Sequence, residues 1–155
     1  MISLPDKPGV YVLVVKVRED ATVTVRSSRV FGIPRGIYLY IGSARGIGGL
    51  KSRVLRHVRG AKSMFWHIDY LLAHPSTSIA GVYYAVVGKS SDYESMLSSI
   101  MAREFNGIKG FGCSDKKKDY SHLYYCGNSL KACLYRASFL LNMGFKYVPL
   151  EPITL

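Results

Sequence analysis

Short β-branched runs alternate along the chain with segments whose apolar residues recur every three or four positions. Runs of valine, isoleucine and tyrosine bounded by glycine, proline or charged residues are typical of β-strands. The segment 22–26 alternates threonine with valine and is expected to form a short hairpin strand. Residues 31–35 then separate it from the next main strand. The predicted strands are residues 9–17, 22–26, 36–42, 79–87 and 122–125.

Four other segments show the helical period. In the first, Leu50, Val54, Leu55 and Val58 fall on one face of a helix. The last carries an apolar stripe that stops at Gly144. Strands and helices mix without a regular βαβ alternation, which indicates an α+β fold with an antiparallel sheet. The predicted helices are residues 50–59, 65–74, 91–105 and 129–142.

The composition indicates one globular domain with a basic surface. A chain of 155 residues that is 48% hydrophobic buries enough surface to fold as a single domain, residues 1–155. Its 21 Lys and Arg residues against 10 Asp and Glu residues give a net charge of +11. Such a charge attracts polyanions, and nucleic acid is the expected partner. A basic surface without any such partner is the competing explanation.

The start of the chain and its cysteines predict a cytoplasmic protein. Residues 1–8 contain prolines and an aspartate rather than the charged start and apolar run of a signal peptide. No segment approaches membrane-spanning length, so no membrane partner is expected. Cys113, Cys126 and Cys133 are expected to form no paired framework, and an odd count suits a reducing compartment.

Three tyrosines in glycine-flanked strands are the first candidates for chemistry. Alternate residues of a strand share a face, so Tyr38 and Tyr40 point the same way and cannot be cross-strand partners. Tyr11 lies on a separate strand that can pair with the segment 36–42 and bring its hydroxyl beside that of Tyr40. A single tyrosine is usually structural, since strands favour this residue.

The helix that follows Tyr40 carries the second part of the pattern. Arg53 and His57 are four residues apart and are therefore neighbours on one helical face. A guanidinium binds two phosphate oxygens in a fixed fork, and a neutral imidazole exchanges protons near pH 7. Lys51, Arg56 and Arg59 add positive charge nearby and are candidates for nucleic-acid binding. The alternative is a solvated basic face.

Glu94 has two competing explanations. The sequence Ser91-Asp92-Tyr93-Glu94 matches a capping box, in which the serine caps a helix and the glutamate reaches back to its amide. Glu94 also shares a stripe with Leu97 and Met101, which turns its carboxylate toward the core, where an unpaired charge is costly. A divalent cation resolves that cost, and Mg²⁺ needs only one or two protein carboxylates.

Other polar residues give weaker signals. Cys113, His122 and Cys126 lack the paired spacing and the fourth ligand of a zinc site. His67 and Asp69 are two apart on a predicted helix and face different ways, which argues against a shared metal. The loop 112–115, with the basic run Lys116, Lys117 and Lys118 and the segment 121–122, is either a nucleic-acid contact or a solvated connection.

In order, residue type and approximate spacing, these features resemble the GIY-YIG nuclease superfamily and, within it, the Uri-type endonucleases. The resemblance is carried by Gly9-Val10-Tyr11, Tyr40-Ile41-Gly42, Arg53, His57 and Glu94. Longer strings extend it, namely YIGSARGIGGLKSRVLRHVR at 40–59, WHIDYLL at 66–72, GFGCSD at 110–115 and SHLYY at 121–125. The motifs lie within residues 9–125. The segment 22–34 is an insertion typical of the subgroup.

The resemblance implies a central three-stranded antiparallel sheet flanked by helices, and hydrolysis of nucleic-acid phosphodiesters, preferably in DNA. Glu94 would bind Mg²⁺ or Mn²⁺, and Arg53 would steady the phosphate. Tyr11 and Tyr40 would flank the attacking water, and His57 would support them. The superfamily's late asparagine has no clear equivalent, and residues 128–155 are expected to form a packing helix and tail. The alternative is a non-catalytic DNA- or RNA-binding module on the same fold.

Overall fold

A computed structural model describes residues 3–151 of the chain. Eight strands and five helices make up this part of the chain. The strands are β1 (Gly9–Val17), β2 (Ala21–Thr24), β3 (Val30–Ile33), β4 (Gly36–Ala44), β5 (Thr77–Val86), β6 (Asn106–Gly107), β7 (Leu123–Gly127) and β8 (Lys146–Pro149). The helices are α1 (Gly49–Arg59), α2 (His67–Leu72), α3 (Tyr93–Glu104), α4 (Leu130–Arg136) and α5 (Phe139–Asn142).

The main sheet has six strands in the order β6-β7-β4-β1-β5-β8, and every neighbouring pair is antiparallel. The α+β class with an antiparallel sheet is therefore confirmed. A three-stranded sheet is not confirmed: the predicted strands 36–42, 9–17 and 79–87 lie side by side as β4, β1 and β5, but three further strands extend the two edges and give six in all. β8 lies in what was expected to be a tail, of which residues 152–155 are outside the described part.

Both faces of the sheet are covered, which explains why β1 is apolar over residues 9–15. Alternate residues of a strand point to opposite faces. Tyr11 and Leu13 pack with α1, α2 and the β2–β3 hairpin, whereas Val12 and Val14 pack with α3, α4 and α5. Every one of these four side chains is buried. The middle of the sheet is therefore buried on both faces, and α1 and α3 pack against it from opposite sides.

The segment predicted as a hairpin strand forms β2, but its partner is β3, in a two-stranded sheet separate from the main one. β3 was missed because Phe31-Gly32-Ile33-Pro34 contains the glycine and proline that usually mark a turn. Phe31 and Ile33 are nevertheless buried in the core on the α1 side of the sheet. The hairpin thus covers that part of the core and does not extend the main sheet.

The predicted helix 129–142 is two helices, α4 and α5, which meet at Ala137 and Ser138. Cys133, Ala137 and Leu140 are buried, so the apolar spacing continues across the break and hides it from periodicity. The expectation that the cysteines form no pair is also wrong: a disulfide joins Cys126 at the end of β7 to Cys133 on α4. Cys113 is free and buried.

Within residues 3–151, no helix combines the length and apolarity that crossing a membrane requires.

Candidate active site

A polar cavity of about 90 Å³ lies above the middle of the sheet, between α1, α3 and the loop that precedes β7. All five residues predicted to act in catalysis line it. They come from separate elements: two from central strands, two from α1 and one from the first turn of α3. The lining residues are Tyr11, Tyr40, Gly42, Ser43, Arg53, His57, Trp66, Glu94, Gly112, Asp115 and His122.

Tyr11 reaches the cavity because its strand neighbour has no side chain. In the β1–β4 ladder Tyr11 lies opposite Gly42, and a Cβ atom at Gly42 would overlap the Tyr11 ring. The ring therefore lies across Gly42, and its hydroxyl is 2.7 Å from Nε2 of His57. The glycine of the Tyr40-Ile41-Gly42 tripeptide thus makes room for the tyrosine of the other strand.

Tyr40 and Tyr38 lie on the same strand but have different surroundings. Tyr40 lines the cavity, and its ring contacts His57 edge-on at 6.5 Å between centroids. The hydroxyl of Tyr38 donates a hydrogen bond to the carbonyl of Pro34 at 2.6 Å, away from the cavity-lining residues. The structure therefore places Tyr11, and not Tyr38, with Tyr40.

Burial disfavours the charged forms of Tyr11, Tyr40 and His57. Burial raises the pKa of Tyr11 above its ordinary value, against the opposing effect of the Arg53 charge. Burial, and then the proximity of Tyr11 and Glu94, raises the pKa of Tyr40 well above its ordinary value. Burial also lowers the pKa of His57 to about 4. At neutral pH the imidazole is therefore neutral, and we assign the Tyr11 hydroxyl as the donor to Nε2. The imidazole proton then lies on Nδ1, which is buried without a partner among the described residues.

On α1, the sequence predicted Val58 to face inward, but the structure buries His57 instead and leaves Val58 exposed. Arg53 also faces the cavity. Its guanidinium donates a hydrogen bond to the carbonyl of Ser43 at 3.0 Å and lies 4.3 Å from the centre of the Trp66 ring. These two contacts fix the arginine in place, which is the condition for directional binding of a phosphate.

Arg56 differs from the other predicted nucleic-acid-binding residues of α1. Its guanidinium binds both carboxylate oxygens of the buried Asp69, at 2.8 and 2.9 Å. Burial raises the pKa of Asp69, but hydrogen bonds from Arg56 and from the amides of Phe65 and Trp66 outweigh burial and lower it. Arg56 is thus held in a structural ion pair, while Lys51 and Arg59 are exposed beside it.

The capping-box explanation of Glu94 is wrong. Asp92 precedes α3 as its cap residue, and no side chain caps the helix. Glu94 instead accepts a hydrogen bond from Arg45 at 3.2 Å, and its side chain is 12% exposed. Arg45 also donates to the carbonyl of Ser91 at 2.7 Å. The carboxylate is therefore paired rather than isolated, and it is held at the wall of the cavity by a residue that the sequence did not single out.

His122 also lines the cavity, although the sequence indicated the segment 121–122 only as a possible nucleic-acid contact. It is buried, and its Nε2–H donates to the carboxylate of Asp119 at 2.7 Å. Its backbone hydrogen bonds to Phe111 and to Ile41, both at 2.8 Å, hold it beside β4. Gly112 has a positive φ of 75° and packs against the Tyr40 ring, which a side chain there would crowd. The loop 112–122 is therefore a wall of the cavity.

The basic run after this loop divides in two. Lys116 forms an ion pair with Asp92 at 3.0 Å. Lys117 and Lys118 are exposed and line a groove of about 550 Å³ together with Arg29 and Lys109. Four cations along one groove present a path for a polyanion.

The carboxylates at the cavity suit a weakly held hard cation and not a closed metal site. Among residues 3–151 no group of three or more His, Cys, Asp or Glu side chains is arranged to hold a metal. Cys126 is in the disulfide, so the zinc set considered above is excluded. Glu94 and Asp115 both line the cavity. Mg²⁺ commonly binds one or two carboxylates together with substrate phosphate and water, and these two residues fit that requirement.

Comparison with protein families gives one match. The family described as the domain of unknown function DUF123 matches residues 10–142, well over half of the chain. The chain belongs to this family. The DUF123 match begins one residue before Tyr11 and ends with α5, so it includes every residue that lines the cavity. Searches of the curated proteins and of the solved structures gave no match.

Proposed function

We propose that this DUF123 protein is a divalent-metal-dependent endonuclease with a GIY-YIG-type site. The observation that carries the proposal is the convergence of Tyr11, Tyr40, Arg53, His57 and Glu94 on one small polar cavity. These residues are up to 83 positions apart in sequence, from 11 to 94, yet all five line the same cavity. The resemblance of these residues, in order and type, to the GIY-YIG motifs supports the same assignment.

The basic side chains account for binding of the phosphate. Arg53 uses one nitrogen for the carbonyl of Ser43, which leaves its other N–H groups for the oxygens of a phosphodiester. Its contact with Trp66 holds the guanidinium over the ring and limits its motion. A bound phosphate therefore meets a cation whose orientation is already fixed, which favours catalysis over loose attraction.

The tyrosines account for positioning of the attacking water. The Tyr11 and Tyr40 hydroxyls face one cavity, and Tyr11 can pass its proton to Nε2 of His57 as it accepts one from water. The relay leaves Tyr11 neutral and places the proton on His57, whose pKa burial lowers to about 4, so it needs a water that is already acidic. A divalent cation held by Glu94 would lower the pKa of that water. Because the charge of Arg53 also lowers the pKa of His57, its contribution is to the phosphate and not to the relay.

The groove formed by Arg29, Lys109, Lys117 and Lys118 supports a second candidate, a non-catalytic DNA- or RNA-binding module. In such a protein the Arg45–Glu94 ion pair would be a permanent structural contact rather than a pair that a cation can reorganise. Both candidates bind nucleic acid with an affinity that falls as salt rises, so binding alone does not separate them.

A metal screen separates the two candidates. Purified protein is incubated with end-labelled single-stranded, duplex and branched DNA, and with RNA, in Mg²⁺, Mn²⁺ or EDTA. The endonuclease produces internal cleavage products with Mg²⁺ or Mn²⁺ and none in EDTA. Salt-dependent binding without cleavage of any substrate in either metal would assign the protein to the second candidate.

A further inference from the structure

An aromatic pocket of about 280 Å³ lies directly beside the candidate active site. Phe65 forms one wall and is 64% exposed, which is unusual for so large an apolar side chain. Its ring meets Trp66 edge-on, with 5.3 Å between centroids. The opposite wall is the loop that carries Gly112, Ser114 and Asp115. The pocket thus pairs an aromatic surface with a polar one.

The exposed aromatic wall is held by a buried anchor. The carboxylate of Asp69 accepts hydrogen bonds from the backbone amides of Phe65 and Trp66, both at 2.9 Å, while its two oxygens bind Arg56. The Trp66 ring is also contacted by the guanidinium groups of Arg53 and Arg56, at 4.3 and 4.4 Å. An exposed ring on a fixed backbone loses little entropy when a flat ligand stacks on it.

The polar side of the pocket offers groups for the edge of a heterocycle. Nδ1 of His67 accepts a hydrogen bond from the amide of Gly112 at 2.9 Å, so its proton lies on Nε2. Nε2 faces the hydroxyl of Ser114 at 3.3 Å. Burial, assisted by the charge of Arg29, lowers the pKa of His67 and keeps it neutral. The Ser114 hydroxyl and the Asp115 carboxylate are exposed at the rim, where they can donate and accept hydrogen bonds.

The pocket, the active-site cavity and the basic groove are continuous. Trp66, Gly112 and Asp115 line both the aromatic pocket and the cavity of the candidate active site. Ser114 lines both the aromatic pocket and the groove that contains Lys117 and Lys118. A phosphate at Arg53, a flat ring on Phe65 and further phosphates at the lysines would therefore occupy adjoining parts of one surface.

We propose that the aromatic pocket binds an unpaired nucleobase adjacent to the phosphodiester that is cleaved, so that the substrate is a single strand or a duplex with an unpaired nucleotide. This inference rests on the proposed nuclease function, since it places the base relative to that site. A base paired in a duplex must be unstacked before it enters such a pocket, which weakens binding of the duplex. An unpaired base avoids most of that cost, and stacking on aromatic rings accepts any of the four bases.

The test is a titration in EDTA, which needs no cleavage. Trp66 is the single tryptophan of the chain and lines the pocket and the adjoining cavity, so its fluorescence reports binding there, and the Phe65 variants show whether the pocket is responsible. A single-stranded DNA oligonucleotide is expected to quench that fluorescence, and a blunt duplex of the same sequence is expected to bind without quenching it. The dissociation constant for the single strand should rise roughly ten-fold or more in Phe65→Ala, as for loss of one stacking contact. Phe65→Tyr, which keeps the ring, should bind like the wild type.

A matched control removes an exposed apolar side chain elsewhere. Leu141 on α5 is 50% exposed, and Leu141→Ala should leave the titration unchanged. The proposal that the pocket binds an unpaired base would be overturned if Phe65→Ala bound the single strand as tightly as the wild type. It would also be overturned if the duplex quenched Trp66 as strongly as the single strand. Binding that depends on Phe65, without cleavage in any metal, would contradict the proposed nuclease function but support nucleobase binding by the aromatic pocket. Cleavage that is independent of Phe65 would contradict the pocket alone.

Discussion

The hydroxyl of Tyr11 lies 2.7 Å from Nε2 of His57, although the two residues are 46 positions apart. The contact joins the central strand β1 to the helix α1 and lies inside the core, where both residues are buried. It exists because Gly42 leaves room for the Tyr11 ring. The imidazole satisfies the buried hydroxyl and also offers a short path for a proton.

Tyr11→Phe should lower the cleavage rate by about 10²–10⁴-fold, because it removes the group proposed to accept the proton of the attacking water. Tyr38→Phe is the matched control: its hydroxyl bonds only to the carbonyl of Pro34 among the described residues. That variant should lose about 1 kcal/mol of stability and keep its activity. Single-turnover cleavage of labelled DNA checks both. A larger loss of activity in Tyr38→Phe than in Tyr11→Phe would contradict the assignment.

The stability of the fold should depend on pH through His57. Folding lowers the pKa of this residue from 6.5 to about 4, so the unfolded chain binds more protons between these values. The free energy of unfolding contributed by His57 is therefore complete above pH 6.5 and is lost as pH falls toward 4, by on the order of 3 kcal/mol. Urea unfolding at pH 7 and pH 4.5 measures the loss. His57→Gln should show a smaller loss; an equal loss would place the titration elsewhere.

Gly42→Ala should displace Tyr11 from His57, because the added methyl group overlaps the Tyr11 ring. The expected cost is about 1–3 kcal/mol of stability together with a fall in cleavage rate. Gly32→Ala is the control, since a Cβ atom at Gly32 has no neighbour within 4 Å. Thermal unfolding and the cleavage assay compare the two variants. An active and stable Gly42→Ala protein would show that the Tyr11–His57 contact is dispensable.

Asp69→Asn should destabilise the protein by about 3–5 kcal/mol, because it leaves Arg56 without its buried partner. The loss is expected in chemical denaturation of the protein without nucleic acid. Glu19→Gln, at an exposed carboxylate that makes no ion pair within residues 3–151, should change the stability by less than about 0.5 kcal/mol. Similar effects of the two substitutions would show that Arg56 is free to bind nucleic acid, as the sequence alone indicated.

Much of the fold is readable from the sequence where one kind of interaction dominates. β1 and β4 are predicted because all but one of the residues in each strand are buried, and β5 because its central residues 80–83 are buried. β8 is not, since Lys146–Pro149 is only partly buried and ends in a proline. The break between α4 and α5 escapes detection because Cys133, Ala137 and Leu140 keep helical spacing across it.

The site divides in the same way. Tyr11, Tyr40, Arg53, His57 and Glu94 are found because they carry a motif whose order survives in the chain. Trp66, Asp115 and His122 belong to loops, and only tertiary contacts bring them to the cavity. The same holds for the Arg45–Glu94 pair and the Cys126–Cys133 disulfide, whose partners lie on different elements. For the Arg45–Glu94 pair, the only local indication in the sequence is the position of Arg45 directly after β4.

The most direct test of the proposed active site is the cleavage rate of Glu94→Gln in Mg²⁺ and Mn²⁺, measured beside wild type and Glu104→Gln. Glu104 is an exposed glutamate on the same helix and controls for loss of one negative charge. We expect Glu94→Gln to lower the rate at least about 100-fold while binding DNA like the wild type, and Glu104→Gln to keep its activity. Undiminished metal-dependent cleavage by Glu94→Gln would contradict the proposed site.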